Sequence, residues 1–269
     1  MRRLIIRPGA IGDCILSFPA LGYLQTEYTE IWIPRPLVPL IRFANHVRPI
    51  ASTGIDLVGV GDLPMPESLR EELSNFDSIV SWYGTARDEF HRALAETGIH
   101  CDFHRALPPA DFASYAADFF LAQVGARPGM LPRIDVRDVV TRDSVVIQPF
   151  SGSARKNWPL DRYRELARAL PVRVEWTAGP EEFLPEAVRF DNLAKLASWM
   201  RGARLYIGND SGITHLAAAT GVPTLALLGP ASTETWVPRG PNVATVRARD
   251  LDELGIATVL SAALPACAM

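Results

Sequence analysis

The sequence predicts an α/β protein made of two Rossmann-like halves, each a parallel sheet flanked by helices. Three observations support this. Short apolar runs alternate with segments of helical period along the chain, which implies parallel strands joined by crossover helices. The alternation lapses between Gly125 and Asp143, where Pro128, Gly129 and Pro132 fall among charges without periodicity, and then restarts. With 269 residues, 48% of them hydrophobic and 21% charged, the chain has the length for two compact domains and an ordinary globular composition. A first domain over residues 1–140 and a second over 141–269 are therefore expected.

Leu4 to Arg7 reads as a first strand, a turn follows at Pro8 to Asp13, and Ile15, Phe18, Leu21 and Leu24 then mark a helix. Met1-Arg2-Arg3 before an apolar run has the look of a signal peptide. Arg7 and Asp13 interrupt that run too early for a cleavage region, so a strand is the better reading. Further strands are expected at Ile31 to Ile33, Asp77 to Trp82 and Ile99 to Phe103, with a helix at Asp111 to Val124. In the second half the order is strand Val145 to Pro149, helix Pro159 to Leu170, strand Val172 to Trp176 and helix Leu193 to Gly202. Strand Leu205 to Gly208, helix Ile213 to Thr220, strands Thr224 to Leu228 and Ala244 to Val246, and a last helix from Leu251 complete it.

Composition narrows the function. A formal net charge of −3 and a pI near 6.0 argue against a general nucleic-acid binder, which needs a basic surface to displace counterions. Cys14, Cys101 and Cys267 are too few and too scattered for a disulfide framework or a CxxC metal site, and free thiols are expected. No stretch approaches the roughly 18 apolar residues of a membrane span.

In open α/β sheets ligands bind beyond the carboxyl ends of the strands, so the loops that follow strands carry the candidates. Gly208-Asn209-Asp210-Ser211-Gly212 follows a strand and opens a helix, where free N–H groups and the helix dipole favour a phosphate; a helix cap at Asp210 or Ser211 is the plainer reading and is compatible with anion binding, which the strand–loop–helix context favours. His215 in that helix reads as structural. Ser151-Gly152-Ser153-Ala154-Arg155-Lys156 places short hydroxyl donors beside two cations after another strand, the chemistry a diphosphate needs. Asp13, at the start of the first helix, is either a cap or a general base for an incoming hydroxyl. Glu181 and Glu182 follow a third strand, where a carboxylate can accept from ribose hydroxyls or simply occupy a first helical turn. Asp250-Leu251-Asp252 spells a metal-binding DxD string, yet its place at the start of the final helix reads as a cap, and no metal is assigned.

Three motifs in a fixed order complete the picture: Arg7-Pro8-Gly9-Ala10-Ile11-Gly12-Asp13, then Lys156-Asn157-Trp158-Pro159, then Asn209-Asp210-Ser211-Gly212-Ile213-Thr214-His215-Leu216-Ala217-Ala218-Ala219. Together they resemble the bacterial heptosyltransferases, glycosyltransferase family 9, from Gly9 to the Gly229-Pro230 loop. The resemblance implies a B-type glycosyltransferase fold, with two Rossmann-like domains facing across a cleft, the acceptor on the N-terminal side and ADP-heptose on the C-terminal side. It implies inverting transfer of a heptose or related sugar to an acceptor hydroxyl, in lipopolysaccharide core or other cell-surface glycan synthesis. By the same matching Asp13 is the catalytic base and Lys156 the diphosphate lysine. Ser151 and Ser153 fall in the phosphate loop, Asp210, Ser211, Gly212 and Thr214 at the donor-binding helix start, Glu182 on the ribose side and Leu193 on the adenine side. The implied partners are the ADP-sugar donor and a glycan or glycolipid acceptor, with no metal or separate cofactor and no nucleic acid. The implied location is the cytoplasm, which allows peripheral contact with the inner membrane.

Two features depart from the family pattern. The chain is shorter than many members, with the economy in the N-terminal half, and Gln148-Pro149-Phe150-Ser151 replaces a histidine-containing form. Rival readings are a nucleotide-sugar epimerase, which shares the two-domain architecture, and a nucleotide-binding protein without transferase activity. A dinucleotide oxidoreductase fits less well, because the first loop lacks GxGxxG spacing.

Overall fold

The computed structural model describes residues 1–61 and 64–267. The chain divides into two compact units, the first comprising Met1–Phe112 with Ala116–Met130 and the second Ala113–Tyr115 with Leu131–Met269.

In the first unit, β1 (Arg2–Ile6), α1 (Ile11–Tyr23), β2 (Tyr28–Ile33), β3 (His46–Pro49), α2 (Glu67–Ser74), β4 (Ser78–Ser81), α3 (Asp88–Glu96), β5 (Asp102–Phe103) and α4 (Ala116–Gln123) follow in order. The five strands form one parallel sheet in the order β3-β2-β1-β4-β5. Leu4, Ile5 and Ile6 are buried because a parallel strand is covered on both faces, which is why this run is apolar without alternation. Leu4, Ile6 and Trp32 pack with Leu69, Leu73, Phe90 and Leu94 of α2 and α3.

The second unit runs β6 (Ser144–Gln148), α5 (Leu160–Ala169), β7 (Arg173–Trp176), α6 (Leu193–Arg201), β8 (Leu205–Asn209), α7 (Gly212–Thr220), β9 (Thr224–Leu228), β10 (Val243–Arg247) and α8 (Ile256–Cys267). Its sheet is also all parallel, in the order β10-β9-β8-β6-β7. Val145, Ile147, Leu205, Ile207, Leu225 and Leu227 form its core with Tyr163 and Leu166 of α5 and Val259 and Ala263 of α8. Helix α7 is buried from Thr214 to Thr220, with Leu216 and three alanines at its centre; it opens on the Ser211 cap and stops at Gly221, whose φ of 80° is the left-handed conformation that glycine adopts without strain.

The strand orders locate the crevices. In the first sheet the direction of winding reverses between β1 and β4, and in the second between β6 and β8, so the loops after these strands flank the topological switch points where ligands lodge. The loop after β1 carries Gly9 to Asp13, and the loops after β6 and β8 carry the serine, lysine and aspartate candidates.

Several boundaries differ from the sequence expectation. The helix expected over Asp111 to Val124 begins only at Ala116, because Pro108 and Pro109 lead into a turn closed by the Phe112 N–H on Pro109 O. The strand Ile99 to Phe103 contracts to Asp102–Phe103, and the last helix starts at Ile256 rather than Leu251. Asp250-Leu251-Asp252 is therefore a turn and not a helix cap: Asp250 Oδ1 accepts from the Asp252 N–H at 2.8 Å while Leu251 and Leu254 fill the core. The stretch 131–143 is not isolated from the second unit, since the Ile134 N–H donates to Ala219 O at 2.9 Å and the Arg142 N–H to Gly202 O at 2.7 Å.

Candidate functional site

The loop after β1 is built around a buried cation. Arg7 has no exposed surface; its guanidinium donates to Ser17 Oγ at 2.9 Å, Pro8 O at 2.6 Å and Asp13 O at 3.0 Å, and lies 4.6 Å from the Phe120 ring centre. Burial pulls the guanidinium below its ordinary value, with Cys14 and Asp13 acting in the opposite sense. Gly9 takes φ 136°; a Cβ there would meet Asp13 and Cys14 only at ordinary contact distance, so the loop needs glycine on conformational and not on steric grounds. Ala10, not Asp13, occupies the cap position of α1. Asp13 is the third helical residue, half-buried in the first turn. Its role as a side-chain cap, the bland alternative, does not hold.

The second unit joins its two candidate loops directly. Lys156 Nζ donates to Asp210 Oδ2 at 2.9 Å; the aspartate is 4% exposed and the lysine 32%. Ser211 is the cap of α7, its Oγ accepting from the Thr214 N–H at 3.3 Å. Gly212 and Ile213 follow as the first helical residues, whose N–H groups have no acceptor within the helix. The Thr214 hydroxyl is taken up by the fold, donating to Asn209 O and lying 3.2 Å from Tyr206 Oη. Ser151 Oγ can donate to Asn157 Oδ1 at 2.7 Å or to Ser153 O at 2.8 Å, and Ser153 precedes the short 3-10 turn Ala154–Lys156 without a side-chain capping bond.

The remaining two candidates stand apart from this cluster in different degrees. Glu182 is half-buried and accepts from the Gly179 N–H at 2.6 Å and from Gln148 Nε2 at 3.2 Å, which ties the loop after β7 to the end of β6. Leu193 is half-buried and opens α6, a helix capped by Asn192 and packed beside α7.

One residue of the site carries more than its sequence context suggested. Asn209, the last residue of β8, is fully buried and bonds to the backbone and side chains at both ends of the 149–157 loop. Asparagine is a poor strand former, so its presence at the end of an apolar strand was the available signal. His215 is 6% exposed within α7, as a structural histidine would be; burial pushes its pKa down to about 4, opposed by Asp210 and by a hydrogen bond to the Trp236 backbone.

His215 gives a pH prediction. Its folded value lies below the unfolded value of 6.5, so the neutral ring is fully accommodated above pH 6.5 and stability is lost as pH falls from there toward 4. The loss attributable to this group is on the order of 3 kcal/mol. Urea unfolding at pH 7 and pH 4.5 should show a smaller acid loss for His215→Gln than for the parent; equal losses would dismiss His215 as the group responsible.

Comparison with known proteins bears on this geometry. A profile described as Glycosyltransferase family 9 (heptosyltransferase) matches residues 190–255, which include the Asp210 loop and α7. Over these residues the chain is similar to family 9. Lipopolysaccharide heptosyltransferase 1 of Pseudomonas aeruginosa is 38% identical over 90 residues, a match covering 28% of this chain and 25% of that enzyme. The matched stretch thus spans about a quarter of the curated relative. Among solved structures, Escherichia coli ADP-heptose lipopolysaccharide heptosyltransferase II has a TM-score of 0.76 at 17% identity, covering 100% of this chain and 99% of that one. A family 9 glycosyltransferase from Veillonella parvula gives 0.75 at 17% identity, covering 99% and 97%. Escherichia coli heptosyltransferase WaaC with ADP gives 0.69 at 16% identity, covering 99% and 100%. These likenesses establish the fold: two parallel-sheet α/β units of the B-type glycosyltransferase kind. The profile match includes the Asp210 loop and α7 and leaves the Lys156 loop and Asp13 to be judged on their own geometry.

Proposed function

We propose that the protein is an inverting glycosyltransferase that moves a heptose or related sugar from an ADP-sugar to a hydroxyl of a glycan or glycolipid acceptor, in lipopolysaccharide core or related cell-surface glycan synthesis. The observation that carries the reading is the pairing of Lys156 with Asp210 at the switch point of the second sheet, beside the start of α7. An ammonium group, the N–H groups of Gly212 and Ile213, and the Ser151 and Ser153 loop are what a diphosphate leaving group requires. The family 9 match over 190–255 and the fold shared with an enzyme solved with ADP support ADP as the nucleotide.

In this reading the second unit holds the donor, with Glu182 toward the ribose and Leu193 toward the adenine. Asp13 of the first unit accepts the proton from the acceptor hydroxyl as its oxygen attacks the anomeric carbon. The C–O bond to the diphosphate breaks on the opposite face, and the charge that develops on ADP meets Lys156 and the α7 N-terminus. Donors fixed in place before the reaction lower the barrier most where charge grows in the transition state, so this site needs no divalent metal to stabilise the leaving group. Among the described residues no helix is long and apolar enough to cross a membrane, and in this proposal the enzyme works from the cytoplasm with peripheral contact at the inner membrane.

The test is calorimetric titration with ADP, UDP and GDP in the presence of EDTA, followed by a transfer assay with ADP-heptose. Selective binding of ADP and metal-independent transfer are expected. Binding of UDP or GDP in preference to ADP would remove the donor assignment, and activity lost on chelation would remove the metal-free mechanism.

A further inference from the structure

Resting on the donor-site reading above, we propose that Asn209 is a positioning residue that holds the 149–157 loop in the form that presents Lys156 to the diphosphate. Its side chain is fully buried and its hydrogen-bonding capacity is filled. The carbonyl oxygen accepts from the Trp158 N–H and the Tyr163 hydroxyl, both at 2.9 Å. The amide nitrogen donates to Pro149 O at 2.7 Å and to Asn157 Oδ1 at 3.4 Å.

These partners bracket the loop. Pro149 is where the chain leaves β6, and Asn157 and Trp158 are where it enters α5, so one side chain on β8 ties both ends together. Between them the loop contains only a single 3-10 turn, and its internal bond from Ser151 Oγ runs to the same Asn157 Oδ1 that Asn209 touches. Trp158 is itself pinned by its indole N–H on Leu254 O at 3.0 Å and by an edge contact to Tyr163. Asn209 and Asp210 thus divide the work by direction: the first fixes the loop backbone and the second engages the lysine at the loop's end. A side chain that sets the position of a binding group without touching the ligand governs affinity for the part of the ligand that group contacts.

Two variants separate positioning from general stability. Asn209→Asp keeps shape and both acceptor bonds and turns the donor facing Pro149 O into an oxygen, so it releases the loop entrance. Tyr163→Phe, a milder change, removes one donor to Asn209 and keeps the ring. The readouts are hydrogen exchange of the 149–158 segment, and binding of ADP compared with adenosine, which lacks the phosphates. Asn209→Asp is expected to speed exchange in this segment and to weaken ADP about 10-fold or more, the scale of one charge-assisted hydrogen bond, with adenosine changed less than about 2-fold. Tyr163→Phe should do the same in smaller measure, and it carries the test if the aspartate variant fails to fold. Equal losses for ADP and adenosine would show a structural role only and overturn the proposal, as would unchanged exchange in the segment. If the unsubstituted protein binds neither compound, the donor reading fails; the exchange data then decide whether Asn209 orders the loop at all.

Discussion

Replacing Lys156 with methionine is expected to weaken ADP binding by roughly 10- to 100-fold, the range for losing one hydrogen bond to a charged group. The same change leaves Asp210 with 4% exposure and no cation, so it should also destabilise the second unit. Removing one partner of a buried pair costs about 3–5 kcal/mol. The lysine here is 32% exposed and water reaches its side of the pair, which brings the expectation to about 1–3 kcal/mol. The double variant Lys156→Met with Asp210→Asn separates the two effects: it should regain most of the stability, because no charge is left unpaired, and none of the ADP affinity. Calorimetry and urea unfolding on the three proteins check this. A single variant that binds ADP within about 2-fold of the parent would remove Lys156 from the donor site.

Asp13→Asn should leave ADP binding unchanged and reduce transfer by about 100- to 10,000-fold, the usual contribution of a general base. The substitution keeps the shape and one acceptor oxygen, and removes the negative charge and the basicity. Its cost in stability is the loss of a carboxylate in the first turn of α1, about 0.3–1 kcal/mol. Release of ADP from ADP-heptose in the presence of a truncated lipopolysaccharide core acceptor measures the step. If Asp13→Asn retains roughly a tenth or more of the parent rate, proton removal belongs to another group.

The sequence made the central strands and their loops legible because buried parallel strands are short continuous apolar runs, as in Leu4 to Ile6 and Leu225 to Leu228, and because glycines mark the turns after them. Strand β3 was not legible: His46-Val47-Arg48-Pro49 has one β-branched residue and ends on a proline, and it is ordered by pairing with β2 at the sheet edge rather than by burial of its own side chains. The start of α8 was misplaced because Leu251 and Leu254 are core residues carried by a turn, and apolar spacing alone does not distinguish a turn from a helix there. At the site, Lys156 and Asp210 could each be picked out from their loops, but their mutual bond depends on β6 and β8 being neighbours across 54 positions of sequence, which is a property of strand order. Asn209 was hidden for the same reason, since its value lies entirely in what four other positions offer it.

The different strand orders of the two sheets have a consequence for the ancestry of the chain. Two five-stranded parallel sheets in tandem invite the idea of one gene segment copied once. Counting strands within each unit, however, the first sheet runs 3-2-1-4-5 and the second 2-1-3-4-5. A faithful copy would reverse its winding after the same ordinal strand; here the reversal lies between first and fourth strands in one unit and between first and third in the other. Descent from a single repeat would thus require the third strand of one copy to have changed sides while the second kept its place beside the first, so the two halves are not superposable strand for strand as simple duplicates.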